Sequence, residues 1–399
     1  MTAKAPRGER LTIVLAGRRN VGKSSLINAL AGQDISIVSD IPGTTTDPVR
    51  KAYELLPLGP VTFVDTAGID DIGDIGKLRT KKSYKALKNA DIVLLVANGD
   101  YWKEEAVLES LLKNQGIPYI IVFNKSDIIT VDENIRNSLS GVYIEVSALK
   151  ITGIDLLKHK IFELVPERVH EKSIIGDIVS HGDMVVLVVP IDLAAPKGRL
   201  ILPQVQTIRD LLDNDCVTMI AKERELELSL EKLCEKPKLV ICDSQVVLKV
   251  VGDLPENQPV TTFSTLFARY KGDLEELVKG TEAIDKLKDG DKVLIAEACS
   301  HHIQSDDIGR VKIPRWIRQY TGAKLTFDVA CGMDYPENLS EYKLVIHCGG
   351  CMITQKEFRN RIRAAHNNGI PATNYGVCIS KVQGVLNRIL KPFPEFLYE

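Results

Sequence analysis

The chain carries no surplus of charge of either sign, with 51 lysines and arginines against 53 aspartates and glutamates over 399 residues. Composition therefore gives no support to a nucleic-acid partner, whose electrostatic footprint is a basic patch or stripe; only a local patch is left open. Long apolar runs are missing as well. The longest, such as Met184 to Ile191, fall far short of the ~20 residues that a membrane-spanning helix needs, so no membrane partner is expected. The N-terminus, Met1-Thr2-Ala3-Lys4-Ala5-Pro6-Arg7, is polar and short with no apolar segment behind it, unlike a secretory leader. A cytoplasmic, reducing compartment is the expectation. There the eight cysteines bind metal or do redox work more readily than they form structural disulfides. The length suffices for two or three domains, each with its own core.

The apolar run Leu11 to Ala16 reads as a buried strand and leads straight into Gly17-Arg18-Arg19-Asn20-Val21-Gly22-Lys23-Ser24, after which Ser25 to Leu30 continues as a helix. This is a phosphate-binding loop in its expected context. Its glycines, with Asn20, Val21 and Ser25 beside them, let backbone N–H groups converge on phosphates at a helix N-terminus. Lys23 reaches the terminal phosphates, and Ser24 offers a hydroxyl to Mg2+. The loop alone would serve ATP equally well, so specificity for GTP must come from further along. Val61 to Val64 runs into Asp65-Thr66-Ala67-Gly68, where Asp65 can hold Mg2+ through a water and the Gly68 N–H can sense a γ-phosphate. Ile120 to Phe123 runs into Asn124-Lys125-Ser126-Asp127, whose carboxylate matches the two donors on the edge of guanine. Val142 to Val146 runs into Ser147-Ala148-Leu149, a backbone clamp for the guanine carbonyl. Four motifs in order, each after a strand, specify a G domain.

Gly43-Thr44-Thr45-Thr46-Asp47 occupies the first switch, and a threonine there, taken as Thr45 with Thr44 beside it, is expected to join Ser24 and Asp65 around Mg2+. Lys23 and Thr45 are the expected catalytic residues. With the Gly-x-x-Asn-x-Gly-Lys-Ser form of the loop, this pattern resembles the TrmE–Era branch of translation-factor-like GTPases. The position after Asp-Thr-Ala-Gly is Ile69, so the glutamine that orients the attacking water in Ras-like enzymes is missing and intrinsic hydrolysis should be slow. Asn20 stands where potassium-dependent members of that branch place an asparagine. The resemblance implies a K+ near the bridging phosphate oxygen, a charge that does the work of an arginine finger; as a plain loop-capping residue Asn20 would do none of this. The acidic, glycine-rich stretch Asp70 to Gly76, followed by the basic helix-like stretch Lys77 to Asn89, reads as a second switch.

Composition changes after Pro166, and the charged connector Glu167 to Ser173 marks a boundary. Apolar strands at Met184 to Ile191, Val217 to Ala221, Leu239 to Cys242 and Pro259 to Phe263 alternate with helical stretches. That alternation predicts a small parallel sheet covered by helices. No nucleophile–base pair, glycine loop or ligand cluster accompanies it. Cys216, Cys234 and Cys242 read as small core residues, and Asp192 and Glu225 as ordinary surface acids. Such a module is a candidate for self-association.

The last third repeats the pattern, with an amphipathic helix over Asp273 to Leu287 and strands at Val293 to Ala296, Lys324 to Val329, Leu344 to Ile346 and Ala372 to Tyr375. Helices are expected at Gly309 to Tyr320, Gln355 to Asn367 and Val382 to Leu390. The predicted fold class is thus α/β: a P-loop G domain over 1–170 and two parallel-sheet α/β modules over 171–264 and 265–399. Just past two of the strand ends lie Cys299-Ser300-His301 and, 45 residues on, His347-Cys348-Gly349-Gly350-Cys351. Strand C-terminal ends share one rim, so these groups can converge across a crevice. Three thiolates suit an iron–sulfur cluster or zinc better than a hard cation.

Cys-x-His, a spacer in the mid-forties and His-Cys-x-x-Cys, behind a TrmE–Era-like G domain and a middle module, resembles the family of FeFe-hydrogenase maturation GTPases over the whole chain. The resemblance implies a 4Fe–4S cluster on Cys299, Cys348 and Cys351 with an exchangeable fourth site. It also implies a scaffold that receives a diiron precursor from two radical-SAM maturases and passes it to apo FeFe-hydrogenase, and a homodimer through the middle module. Water, His301, His347, a carboxylate or a bridging group could complete the fourth iron, with Cys331 as a reserve sulfur and His347 also suited to supporting a ligand. His302 and Cys378 are expected outside the site. Two other readings stand beside this one. An RNA-associated GTPase of the TrmE/Era type with a structural zinc would need a basic surface that composition does not supply. A redox-sensing G protein cycling Cys348 and Cys351 as a dithiol would leave Cys299 and His301 without a task.

Overall fold

The computed structural model describes residues 7–32, 49–56, 58–66, 83–101, 103–139, 141–165, 173–190, 200–298, 307–332, 335, 336 and 338–396. They fall into two compact units, Met1–Glu171 and Lys172–Glu399. In the first, β1 (Leu11–Ala16), β2 (Val49–Leu55), β3 (Gly59–Asp65), β4 (Ile92–Ala97), β5 (Tyr119–Phe123) and β6 (Tyr143–Glu145) form one sheet in the order β2-β3-β1-β4-β5-β6. All neighbours are parallel except β2, which runs antiparallel to β3 at the edge. β1 and β4 are buried along their whole length, as parallel strands covered on both faces must be. Along β1, Leu11, Ile13 and Leu15 pack with Leu26 and Leu30 of the helix Lys23–Ala31 and with Leu157 and Ile161 of the helix Ile154–Leu164. Val14 and Ala16 join Leu108 and Leu112 of the helix Lys103–Asn114 on the opposite face.

The second unit holds two four-stranded, fully parallel sheets. One has the order β10-β9-β7-β8, from β7 (Met184–Val188), β8 (Val217–Ala221), β9 (Leu239–Cys242) and β10 (Val260–Thr262). The other has the order β12-β11-β13-β14, from β11 (Lys292–Glu297), β12 (Thr326–Cys331), β13 (Leu344–His347) and β14 (Ala372–Asn374). The fold class is the expected one, α/β with a P-loop domain followed by two parallel-sheet modules. The two modules share their cores. Val185 and Leu187 of β7 belong to one apolar cluster with Leu294 and Ala296 of β11, and Val186 and Val188 to another with Val293 and Ile295. Each such side chain contributes about 1.5–3 kcal/mol on full burial, which binds the two sheets into one compact unit.

Two helices differ from expectation. The stretch predicted as one helix over Asp273 to Leu287 is an α-helix, Leu274–Gly280, that tightens into a 3-10 turn, Thr281–Lys286. The helix predicted over Val382 to Leu390 is confined to Leu386–Leu390, and an unexpected helix, Tyr375–Val382, precedes it, because Asn374 ends β14 and caps that helix by accepting from the Val377 N–H at 2.9 Å. Among the described residues no helix is long and apolar enough to cross a membrane.

Candidate functional site

The phosphate-binding loop leaves the C-terminal end of β1, flanked by β3 and β4. The strand order reverses there, which is where open α/β sheets bind ligands. The helix Lys23–Ala31 starts without a side-chain cap, so its first N–H groups are available to an anion. Gly22, at φ 90°, lies so close to Asn124 that a Cβ would stand 2.3 Å from its Nδ2. Lys23 is 8% exposed and lies across the loop, with Nζ donating to the carbonyls of Gly17 at 2.9 Å and Arg18 at 2.8 Å. Ser24 Oγ donates to Asp65 Oδ2, so two expected Mg2+ ligands meet at the end of β3. Ser25 is exposed in the first helical turn. Thr44, Thr45, Gly68, Ile69 and the stretch Asp70 to Gly76 lie outside the described residues.

Asn124 fastens the base side of the site to the phosphate side. It is 2% exposed; its Nδ2 donates to Val21 O at 3.0 Å, and its Oδ1 accepts from Ala148 N at 3.0 Å. Lys125, at φ 63°, reaches back to donate from Nζ to Asn20 O at 2.7 Å. Ser147 Oγ donates to Asp127 Oδ1 at 2.6 Å and holds an otherwise exposed carboxylate in place. Asn20 is exposed with φ 60°. Motif reading passed over Arg18, whose guanidinium pairs with buried Glu105 and with Asp100, both at 2.6 Å. Its signal is three-dimensional, since the partners lie more than 80 positions away.

In the second unit the register aligns Glu297 with Cys331, Ala296 with His347, and His347 with Asn374. Glu297 and Cys331 end their strands, and Cys348 and Tyr375 are the first residues past the ends of β13 and β14, so the four stand on the C-terminal rim of the sheet. Glu297 is 1% exposed and accepts from Arg310 Nη2 at 2.7 Å and from Cys331 Sγ at 3.2 Å; the same Arg310 nitrogen meets Cys331 Sγ at 2.9 Å. Cys331, expected as a reserve sulfur, is therefore engaged by a carboxylate and a guanidinium. Cys348 Sγ accepts from the Ala298 N–H at 3.1 Å. Ala298 is the last described residue before Cys299, which with His301 and His302 lies outside the described residues.

The loop itself is tied down at several points. Lys271, 2% exposed, donates from Nζ to Gly350 O at 2.6 Å and Ile353 O at 2.9 Å. Gly350, at φ 64°, presses on the Phe358 ring, where a Cβ would come within 2.8 Å. Burial pushes the Cys351 thiol up, with Lys271 pulling the other way. His347, expected as a ligand or a supporting group, is fully buried, and burial with Arg361 beside it pushes its imidazole down to about 3. The neutral ring donates from Nδ1 to Cys348 O at 2.7 Å and turns Nε2 to Arg361 Nη1 at 3.4 Å. Both ring nitrogens are thus engaged, and the ring holds the loop backbone. Arg361, missed from sequence, also donates to Gly332 O at 2.6 Å and Glu357 Oε1 at 2.8 Å.

Among the described residues no three His, Cys, Asp or Glu side chains are gathered to hold a metal ion. Of the other cysteines, Cys216, Cys242 and Cys378 are buried as expected, and burial raises Cys378 to about 12. Cys234, expected in the core, is exposed beyond the short helix Leu226–Glu231.

A P-loop at the switch point of a parallel sheet, with an Asp at the next strand end and an Asn-Lys-x-Asp loop fastened to it, defines a GTPase domain. Family models match three consecutive stretches: the 50S ribosome-binding GTPase over residues 12–125, the hydrogen maturase F dimerization domain over 174–272 and the hydrogen maturase F tetramerization domain over 275–392. The chain belongs to the hydrogen maturase F (HydF) family, the hydrogenase maturation GTPases. Among curated relatives, the tRNA modification GTPase MnmE of Methylococcus capsulatus is 42% identical over 154 residues, 38% of this chain and 34% of that protein. MnmE of Nitrosomonas europaea is 38% identical over the same length and shares. The chain thus spans about a third of the length of the curated relatives it matches. The solved G domain of the T. maritima FeoB iron transporter is 25% identical, covering 39% of this chain and 99% of that one, with TM-score 0.33. An Aquifex aeolicus Era variant bound to GDP·AlF4− is 20% identical, covering 55% and 97%, also with TM-score 0.33.

Proposed function

We propose that this chain is a GTP-hydrolysing scaffold that holds a 4Fe–4S cluster on Cys299, Cys348 and Cys351. In this reading it takes a diiron precursor from two radical-SAM maturases and delivers it to apo FeFe-hydrogenase in the cytoplasm. The observation that carries the reading is the 3.1 Å hydrogen bond from Ala298 N to Cys348 Sγ, because it brings the residue next to Cys299 against the sulfur of the other cysteine loop. The donor set fits the group: two thiols on one tight turn, the Lys271 ammonium beside Cys351 to favour its thiolate, and a buried Tyr375 hydroxyl with no partner among the described residues. When bound, the cluster supplies an iron open to an incoming ligand. The protein supplies the posture, with His347 fixing the Cys348 carbonyl and Lys271 the backbone on either side of Cys351.

In the G domain, Lys23 exchanges its loop carbonyls for the β- and γ-phosphate oxygens. Ser24, Asp65 and Thr45 hold Mg2+, Thr44 and Gly68 close on the γ-phosphate, and Asn124, Lys125, Asp127, Ser147 and Ala148 hold guanine. Ile69 stands where the water-orienting glutamine is missing, so intrinsic hydrolysis is slow; Asn20 would hold a K+, which would supply positive charge near the bridging phosphate oxygen. The middle module pairs copies of the chain, in keeping with the dimerization model that matches it.

The test is anaerobic reconstitution with iron and sulfide, followed by EPR of the reduced protein beside a variant with Cys299, Cys348 and Cys351 all changed to Ala. A 4Fe–4S signal lost in the variant and altered by imidazole is expected. Tightly bound zinc without sulfide would overturn the reading in favour of an RNA-associated GTPase.

A further inference from the structure

Of the row of groups on the rim of the second sheet, Tyr375 alone has a buried polar atom with no hydrogen-bond partner among the described residues. Its hydroxyl packs on Gly309, where a Cβ would stand 2.1 Å from the oxygen, so any side chain there would displace it. The charged and polar groups around it are Cys348, Glu297, Asp307 and Arg310. Glu297 is bonded to Arg310 and Cys331, and Asp307 Oδ1 caps the turn below by accepting from Arg310 N at 2.8 Å. A buried hydroxyl left unpaired is costly, so a group that accepts from it is stabilised there. The pairing of β13 with β14 ends at His347 and Asn374, and Cys348 and Tyr375 are the residues that follow, with Cys348 among the groups around the Tyr375 hydroxyl. A tyrosine phenol, with its ordinary pKa of ~10, is protonated at neutral pH and able to donate.

We infer that Tyr375 Oη donates a hydrogen bond to a sulfide of the sulfur-bonded group held at Cys348, and thereby positions that group and raises its reduction potential. The inference rests on the cluster reading above. A reduced cluster carries more charge on its sulfurs, so a donor stabilises the reduced form more than the oxidised one, and hydrogen bonds to sulfur are among the levers that set these potentials. Tyr375 is a positioning residue here, supplied by the helix that starts where β14 ends.

The experiment compares wild type with Tyr375→Phe, each reconstituted anaerobically, by EPR-monitored redox titration and by melting of the metal-free chains. Expected is equal iron and sulfide content and about a tenfold lower ratio of reduced to oxidised cluster in the variant at the wild-type midpoint, which is 59 mV for one electron. The metal-free variant should melt no lower than wild type, since the hydroxyl it loses has no partner among the described residues. An unshifted potential, or a metal-free variant that melts lower with the potential unchanged, overturns the inference and leaves Tyr375 a packing residue. Should the variant fail to load, pulsed EPR of the wild-type cluster in 2H2O decides: an exchangeable proton coupled to the cluster supports the bond, and its absence overturns it. A wild-type chain that takes up no iron and sulfide removes the function itself, whereas a loaded wild type with an unshifted variant removes only this inference.

Discussion

The ammonium of Lys271 donates to the carbonyl of Gly350 at 2.6 Å from a site that is 2% exposed. The helix Phe263–Lys271 directly follows β10, the last strand of the first four-stranded sheet, so that sheet's module holds the cysteine loop of its neighbour. Changing Lys271 to Met keeps much of the stem but strips the charge-assisted bonds from Gly350 and Ile353. Bonds of this kind contribute about 1.5–3 kcal/mol each. Urea unfolding of the variant should show a loss of about 3 kcal/mol, and its cysteine loop should hold iron less tightly. A variant as stable as wild type would mean that the two carbonyls find other donors.

Asp177 offers a pH test away from both sites. Arg269 grips its carboxylate with two guanidinium nitrogens and also bonds Glu395 at 2.6 Å. Those hydrogen bonds outweigh partial burial and hold the Asp177 carboxyl below its usual range. The unfolded chain therefore binds this proton more readily than the folded one. The pair's contribution is complete above the ordinary carboxylate pKa of ~3.9 and is lost as pH falls through the depressed folded value. With the Asp177 side chain 48% exposed, solvent screening limits that contribution to under about 1 kcal/mol. Asp177→Asn should melt slightly below wild type at pH 7, and the gap should close below about pH 4. A gap that persisted unchanged at pH 2 would refute the linkage.

Elements that carry their own local signal were legible from sequence. Each nucleotide motif sits at the end of an apolar run, and parallel strands buried on both faces read as such runs. β4 is just as apolar, yet no nucleotide motif follows it, so a motif-led reading passed over it. β2 is an edge strand of mixed character, Val49-Arg50-Lys51-Ala52-Tyr53-Glu54-Leu55, and owes its place to antiparallel pairing with β3. The cysteine loop was found from its spacing, but the work of His347 was not, because Arg361 meets it from a neighbouring helix. Tyr375 read as the end of a strand, whereas it opens the next helix; its place near Cys348 depends on the pairing of β13 with β14, which ends one residue earlier at His347 and Asn374. Long-range partners of this kind leave no periodic trace.

Asn20 gives a test of the cation reading. Its carbonyl is held by Lys125 Nζ at 2.7 Å, so its exposed side chain can be changed without cutting the tie between the loop and the base-side segment. GTP hydrolysis should run faster in K+ than in Na+ at equal ionic strength. Asn20→Ala should bring the K+ rate down to the Na+ rate with little change in nucleotide affinity. A charge placed at the reaction centre is worth up to several kcal/mol, so the expected loss is about tenfold or more, at 1.36 kcal/mol per tenfold. Equal rates in the two salts for wild type would remove K+ from the mechanism.

Asp127 gives a test of the guanine reading. Its Oδ1 takes a hydrogen bond from Ser147 Oγ at 2.6 Å, which fixes the plane of the carboxylate while leaving it acceptor capacity for the two N–H donors on the edge of guanine. Xanthine carries a carbonyl where guanine has its amino group, so one of those donors becomes an acceptor. An amide at this position supplies the N–H that xanthine wants and confronts guanine with a donor against a donor. Leaving a buried polar group unpaired in a base pocket costs about 1–3 kcal/mol, roughly five- to more than a hundredfold in affinity. Asp127→Asn should therefore lose GTP binding by at least tenfold, gain XTP binding by a similar factor, and hydrolyse XTP at near the wild-type GTP rate. The measurement is competition of GTP and XTP for a fluorescent nucleotide on both proteins. Retention of the GTP preference would show that the guanine edge is read elsewhere.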